Sequence, residues 1–154
     1  AAKAVAFQEV ATDEFKAYSN RIVENASALA SALIDEGVSV LTGGTDNHLM
    51  LVDVTHFGLT GRQAESAMRD ASITLNRNSL PFDANGPWYT SGLRIGTPAL
   101  TTRGMEVAEM AAIAGWIAEV LEAPTDEARI RSVRGRVEEL CGVFPLYPEL
   151  AAAL

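Results

Sequence analysis

The apolar positions of the chain recur with two periods, and the change from one to the other marks its elements. Ala1 to Val10 is alanine-rich and helix-favouring, with Val5 and Phe7 as its larger apolar groups. After Thr12, Asp13 and Glu14 place negative charge at a helix start, and Phe15, Tyr18, Ile22, Ala26, Leu29 and Leu33 follow at helical steps. The spacing predicts a long amphipathic helix stopped by Gly37. Its polar face of Lys16, Asn20, Arg21, Glu24 and Ser31 is too poor in bases for a membrane surface, so it is expected to pack on a core. From Val38 the period drops to two. Val38 and Val40, then Leu49 and Leu51, alternate with their neighbours on either side of Gly43-Gly44, which predicts two strands. Phe57 to Thr60 reads as a loop, and Thr60-Gly61-Arg62-Gln63 fits a capping box for a helix that buries Ala64, Ala67, Met68 and Ala71 and ends near Ser72.

Ile73-Thr74-Leu75 is the next strand candidate. The segment from Asn76 to Thr90 holds Pro81, Pro87 and Asn85-Gly86 with little periodicity, and its length suggests a binding loop. It leads into a strand centred on Arg94 that Pro98 ends, since proline has no N–H to give the ladder. A helix over about Met105 to Leu121 is expected to present Met105, Ala108, Ala112, Trp116 and Val120 on one face. A last helix, Asp126 to Leu140, is expected to bury Ile130, Val133, Val137 and Leu140 before Pro145 and Pro148 stop it. This order of elements predicts an α+β fold: a small antiparallel sheet of three or four strands with helices packed mainly on one face, preceded by long N-terminal helices.

Composition narrows the function classes. With 154 residues, 48% of them hydrophobic, the chain suits one compact core with a helical extension. A net charge of -8 disfavours nucleic acid and anionic membrane surfaces as partners. Cys141 is the single cysteine and His48 and His56 are the only histidines, so no internal disulfide and no thiolate-imidazole zinc site is expected, which fits a reducing cytoplasm. No apolar run approaches membrane-spanning length and no signal core opens the chain, so a soluble protein is expected. Ala1 falls inside a helical pattern without methionine or cap, as in a truncated chain.

The candidate chemistry centres on Arg94, set between Leu93 and Ile95 and bracketed by Gly92 and Gly96. A strand with such apolar neighbours is expected to bury much of the cation, which then requires an anion: a bound carboxylate or phosphate, or an internal Asp or Glu. The planar guanidinium suits a carboxylate held by two parallel hydrogen bonds, and the flanking glycines admit another backbone or a small ligand close to the strand. Asp46, Asn47 and His48 have no serine or cysteine placed to act as nucleophile and read as turn structure. Arg129, Arg131, Arg134 and Arg136 interleave with Asp126, Glu127, Glu138 and Glu139 and read as surface pairing, and Cys141 reads as a buried, inert thiol.

Two long strings, Gly43-Gly44-Thr45-Asp46-Asn47-His48 and Ser91-Gly92-Leu93-Arg94-Ile95-Gly96-Thr97-Pro98-Ala99-Leu100-Thr101-Thr102-Arg103-Gly104, resemble the C-terminal portion of serine hydroxymethyltransferase. Leu59-Thr60-Gly61, Asn76-Arg77-Asn78 with Pro81-Phe82-Asp83, and the first seven residues extend the resemblance over essentially the whole chain. It implies an enzyme that uses pyridoxal phosphate, bound covalently to a lysine, to convert serine and tetrahydrofolate into glycine and methylenetetrahydrofolate in a cytoplasmic homodimer or tetramer. Residues 1–36 would be a helical segment linking to a large cofactor domain, and 37–154 the small C-terminal domain. By the same resemblance Arg94 grips the substrate carboxylate, while Asn78, Ser79, Gly86, Pro87 and Trp88 lie at the folate. Gly86-Pro87-Trp88 departs from the commoner Ser-Pro-Phe, so a serine hydroxyl contact is missing there. The only lysines, Lys3 and Lys16, do not match the cofactor site, so the chain alone is expected to be inactive, with no catalytic, cofactor-binding or metal-binding residue of its own. The other function classes are a free-standing amino-acid-binding module built on Arg94 and an oligomerisation piece acting through the Phe15 to Leu33 helix.

Overall fold

Helix starts are set by side chains that satisfy the free N–H groups of the first turn. In the computed structural model, which describes residues 1–147, helix α1 spans Ala2–Val10 and α2 Asp13–Asp35. The Thr12 hydroxyl accepts from the Phe15 N–H to open α2. Gly37, at φ 80°, closes α2: its own N–H bonds to the Ile34 carbonyl and that of Val38 to the Leu33 carbonyl. The strands are β1 Ser39–Val40, β2 Leu49–Asp53, β3 Asn76–Asn78 and β4 Gly92–Gly96. Helix α3, Gly61–Asp70, begins with the predicted capping box between Thr60 and Gln63 and buries Ala64, Ala67 and Met68, with Ala71 just beyond it. Helices α4 Pro98–Thr102, α5 Val107–Glu122 and α6 Glu127–Val143 follow, the last opened by the Asp126 carboxylate. Pro145 lies just past its end, while Pro148 is outside the described residues.

The sheet is antiparallel throughout, in the order β1-β2-β4-β3. Successive strand residues face opposite sides, so the register sorts the side chains into two sets. Val40, Met50, Val52, Leu93 and Ile95 are buried and join the core with Leu29 and Leu33 of α2, Met68 of α3 and Met110 and Ile117 of α5. The other face carries Leu49, Leu51, Asp53, Asn76, Asn78 and Arg94, none of them fully buried. The fold class is therefore the predicted α+β, with four strands. Leu49 and Leu51 do not form the core edge of β2; Met50 and Val52 do, because pairing of Leu51 with Arg94 puts both on the open face.

Helix α4 is not among the predicted elements, and two others differ from the periodicity. The third strand is Asn76–Asn78 and not Ile73-Thr74-Leu75; Ile73 and Leu75 pack half-buried against the core instead. Glu65 fixes the actual strand, taking the Arg77 backbone N–H at 3.2 Å and its guanidinium at 2.7 Å. In α5, Val120 is buried as predicted, and so is Met105 just before the helix, but Ala108 and Ala112 are exposed and Trp116 is half-buried, while Met110, Ile113, Ile117 and Leu121 face inward. The rotation buries long aliphatic groups in place of alanines, a larger apolar area per residue.

Buried polar contacts seat the turn after β4. Asn25 of α2 donates to Thr101 Oγ1 and to the Met105 carbonyl, each at 3.0 Å, and the Thr97 hydroxyl donates to the Ile22 carbonyl at 2.8 Å. At the far side α3 approaches β4 where Gly61 has no side chain: a Cβ there would lie 2.5 Å from the Gly92 carbonyl oxygen. In an open helix Gly→Ala gains up to about 1 kcal/mol. Here Gly61→Ala is expected to lose about 1–3 kcal/mol by overpacking, read as a lower urea midpoint at unchanged slope. A raised midpoint would show that the helix-to-strand approach is not this close.

Candidate functional site

Arg94 stands at the middle of the open sheet face because its neighbours Leu93 and Ile95 are both turned into the core. Its cross-strand partners are Leu51 on β2 and Asn76 on β3. The expectation that the strand buries this cation is corrected: Arg94 is exposed, and the alternation that buries its neighbours is the reason. No internal Asp or Glu pairs with it among the described residues; the Asn76 side-chain oxygen accepts from Nη2 at 3.1 Å. The amide thus orients the fork without neutralising it, leaving N–H groups able to receive a carboxylate.

The flanking glycines do admit close neighbours, but these are parts of the chain itself. A Cβ on Gly92 would lie 2.9 Å from Leu80 Cγ, and one on Gly96 would lie 3.1 Å from the His48 carbonyl oxygen. That carbonyl also accepts from the Thr97 N–H, while Asn47 Oδ1 holds the Leu49 N–H, so Asp46-Asn47-His48 is a turn with no nucleophile beside it.

Asn78 shares the open face with Asn76 and Arg94, and its amide donates to the Ser79 carbonyl at 2.7 Å. Ser79, Gly86 and Pro87 are exposed. Trp88, also exposed, lies towards α3: the guanidinium carbons of Arg62 and Arg77 sit 5.3 Å and 5.2 Å from its ring centre. Arg94, Asn76 and Asn78 are therefore brought together, whereas Trp88 is held on the other side of the β3 edge.

The loop between β3 and β4 is organised by Asp83, which the sequence reading did not single out. Its carboxylate accepts from the N–H groups of Leu80 (3.0 Å), Asn85 (2.9 Å) and Ser91 (2.9 Å) and from the Ser91 hydroxyl (2.5 Å). Partial burial works to raise its pKa, but the Ser91 hydroxyl and the Asn85, Leu80 and Ser91 N–H groups outweigh it and hold the carboxyl at about 2. An aspartate that bonds a backbone N–H two residues on, between two prolines, was the available signal. Thr90, next to this cage, has φ 58° and a buried hydroxyl without a partner, an uncommon conformation for a β-branched residue.

The remaining candidates are structural. Arg129, Arg131 and Arg136 pair with Asp126, Glu127 and Glu119, and Arg134 donates to the Asp70 carbonyl at the end of α3. Cys141 is half-buried rather than fully buried. Among the described residues there is no cluster of metal-ligating side chains, and no helix is long and apolar enough to cross a membrane. The two lysines lie on α1 and α2, away from the groove of about 760 Å³ that opens beside Arg94 and Asn76.

A family model described as serine hydroxymethyltransferase matches residues 1–117. A curated serine hydroxymethyltransferase from Koribacter versatilis (strain Ellin345) is 52% identical over 152 residues, which cover 99% of this chain and 36% of that protein. The chain thus spans about a third of the length of that relative. The match runs through the open sheet face, the Asp83 loop and Arg94 alike, and on it the chain belongs to the serine hydroxymethyltransferase family.

Proposed function

We propose that this chain supplies the amino-acid and folate side of a serine hydroxymethyltransferase site, whose cofactor is held by residues outside these 154. In this reading the complete enzyme moves a one-carbon unit between serine and tetrahydrofolate. Arg94 holds the carboxylate of serine or glycine, and Asn78, Ser79, Gly86, Pro87 and Trp88 meet the folate. The observation that carries the reading is the Arg94 guanidinium, exposed on the open sheet face and oriented by a neutral amide, with no carboxylate paired to it among the described residues. Asn78 on the same face supports folate contact near the carboxylate; Trp88 is the weakest of the set, being turned towards α3.

Pyridoxal phosphate, where bound, supplies the electron sink for chemistry at the amino-acid α-carbon. The chain's own contribution is to bind and orient, and alone it is inactive. Residues 1–36 link the small domain, residues 37–154, to the cofactor-bearing part. The exposure of Val5, Phe7 and Val10 along α1, which buries no residue, supports this link. A homodimeric or tetrameric cytoplasmic enzyme completes the reading.

The test is a pair of assays of serine-dependent methylenetetrahydrofolate formation. The full-length polypeptide bearing this sequence is expected to turn over with pyridoxal phosphate, and a preparation of these 154 residues alone is not. Turnover by the isolated chain would overturn the assignment of the cofactor site to other residues. An inactive, cofactor-loaded full-length protein would overturn the reaction.

A further inference from the structure

The groove beside Arg94 does not end at the sheet. It continues past Ile73 and Leu75, beneath α5 and α6, to Trp116, Leu140 and Arg103. Its volume of about 760 Å³ is ample for a small organic ligand, and most of its wall is apolar. Among the described residues its charged and titratable groups are Arg94, Arg103, His48 and Cys141, and no Asp or Glu lines it, although the chain as a whole carries a net charge of -8. A carboxylate-free pocket with two guanidinium groups selects an anion.

Arg103 gives this second end its own chemistry. Its Nη2 donates to the Cys141 carbonyl near the end of α6 at 3.2 Å, while its Nε is buried and has no partner among the described residues. Among the described residues no carboxylate pairs with it either. That Nε is shielded even from water, so a ligand in the groove would meet the Nη groups of Arg103, which lines it. We propose that the Arg103 end of the groove is a second ligand site, separate from the Arg94 carboxylate site, for a monocarboxylate with an apolar body: the carboxylate meets Arg103 and the body lies along Trp116, Leu140 and Ile117.

The chain has two tryptophans, so Trp88→Phe leaves Trp116, in the groove wall, as the sole indole reporter. Octanoate is expected to change its fluorescence saturably with Kd below about 1 mM. Octanol, which has the same body without the charge, is expected to bind about tenfold or more weakly, as is octanoate to Arg103→Gln, because a charge-assisted hydrogen bond is lost in each case. Arg94→Gln should leave the octanoate Kd within about twofold, and Arg103→Lys should restore part of the affinity through charge alone. If circular dichroism shows that Arg103→Gln does not fold, the octanoate-octanol comparison and Arg103→Lys still decide. No saturable change up to about 10 mM, equal binding of octanol, or loss of binding in Arg94→Gln but not in Arg103→Gln overturns the proposal.

Discussion

Replacing Arg94 with glutamine in the complete, pyridoxal-phosphate-loaded enzyme is expected to lower kcat/KM for serine by about 10² to 10⁴. The size follows from the bond type: two hydrogen bonds from a guanidinium to a carboxylate contribute about 1.5–3 kcal/mol each, and every 1.36 kcal/mol is tenfold. Glutamine keeps some reach and polarity but loses the charge and the fork. Lysine keeps the charge but not the paired geometry, so Arg94→Lys is expected to recover only a small part of the loss. The loss should fall on serine and glycine alike, because both carry the carboxylate, and should leave the KM for tetrahydrofolate close to its original value. Stability is expected to change by less than about 0.5 kcal/mol, since Arg94 is exposed and its one partner among the described residues is a neutral amide. Steady-state kinetics with each substrate varied in turn, beside a thermal melt, make the check. An unchanged kcat/KM for serine would remove Arg94 from the site. An equal loss for folate, with a lowered melting temperature, would mean that the substitution disturbs the sheet and not a carboxylate clamp.

How far such a site can be read from residues alone depends on what fixes each part. Helix ends were legible because their signals are local: Asp13 and Glu14 in the first turn of α2, the Thr60 and Gln63 pair before α3, and Gly37 after α2 each act within one turn. The alanine and methionine stripe of α3 was legible for the same reason, since Gly61–Asp70 has few other apolar residues to offer. Strand β3 was not, because Asn-Arg-Asn carries no apolar alternation and exists through its pairing with β4 and the grip of Glu65 on Arg77. In α5, apolar residues surround most of the helix, so several stripes satisfy the helical period and packing against α2 picks one. Arg94 shows the limit most clearly. Its position and neighbours were read correctly, yet its burial was inferred from those neighbours, when strand alternation puts it on the opposite face. The motif pointed to the residue, and the register explains why it is open to solvent. Where the loop holds Trp88 depends on Arg62 and Arg77, contacts that sequence spacing does not encode.

Asp83→Asn is expected to destabilise the chain by about 2–4 kcal/mol, the largest stability effect of any loop substitution considered. Four donors converge on the carboxylate, from Leu80, Asn85 and twice from Ser91, and an amide in its place offers one acceptor oxygen and turns an NH₂ group towards N–H groups. The loss reaches the site because Ser91 immediately precedes β4, the strand that carries Arg94, and because the same cage holds the loop bearing Ser79, Gly86 and Trp88. Acid titration separates this cause from mere loss of packing. The folded carboxyl, at about 2, lies below the unfolded aspartate value of about 3.9, so its stabilisation is fully present above roughly pH 4. As pH falls the unfolded chain binds the proton first, and the stabilisation drains away between about pH 4 and pH 2. The stability difference between the original chain and Asp83→Asn should therefore be constant near neutrality and shrink through that window. Ser91→Ala, which removes one of the four donors, should give a smaller loss with the same pH trend, since the carboxylate and its other partners remain. Urea unfolding of the three proteins from pH 7 to pH 2 makes the measurement. A difference that stays constant down to pH 2 would mean that side-chain shape, not the charge of Asp83, holds the loop against β4. In that case the order of the loop between β3 and β4 would rest on Leu80 packing over Gly92.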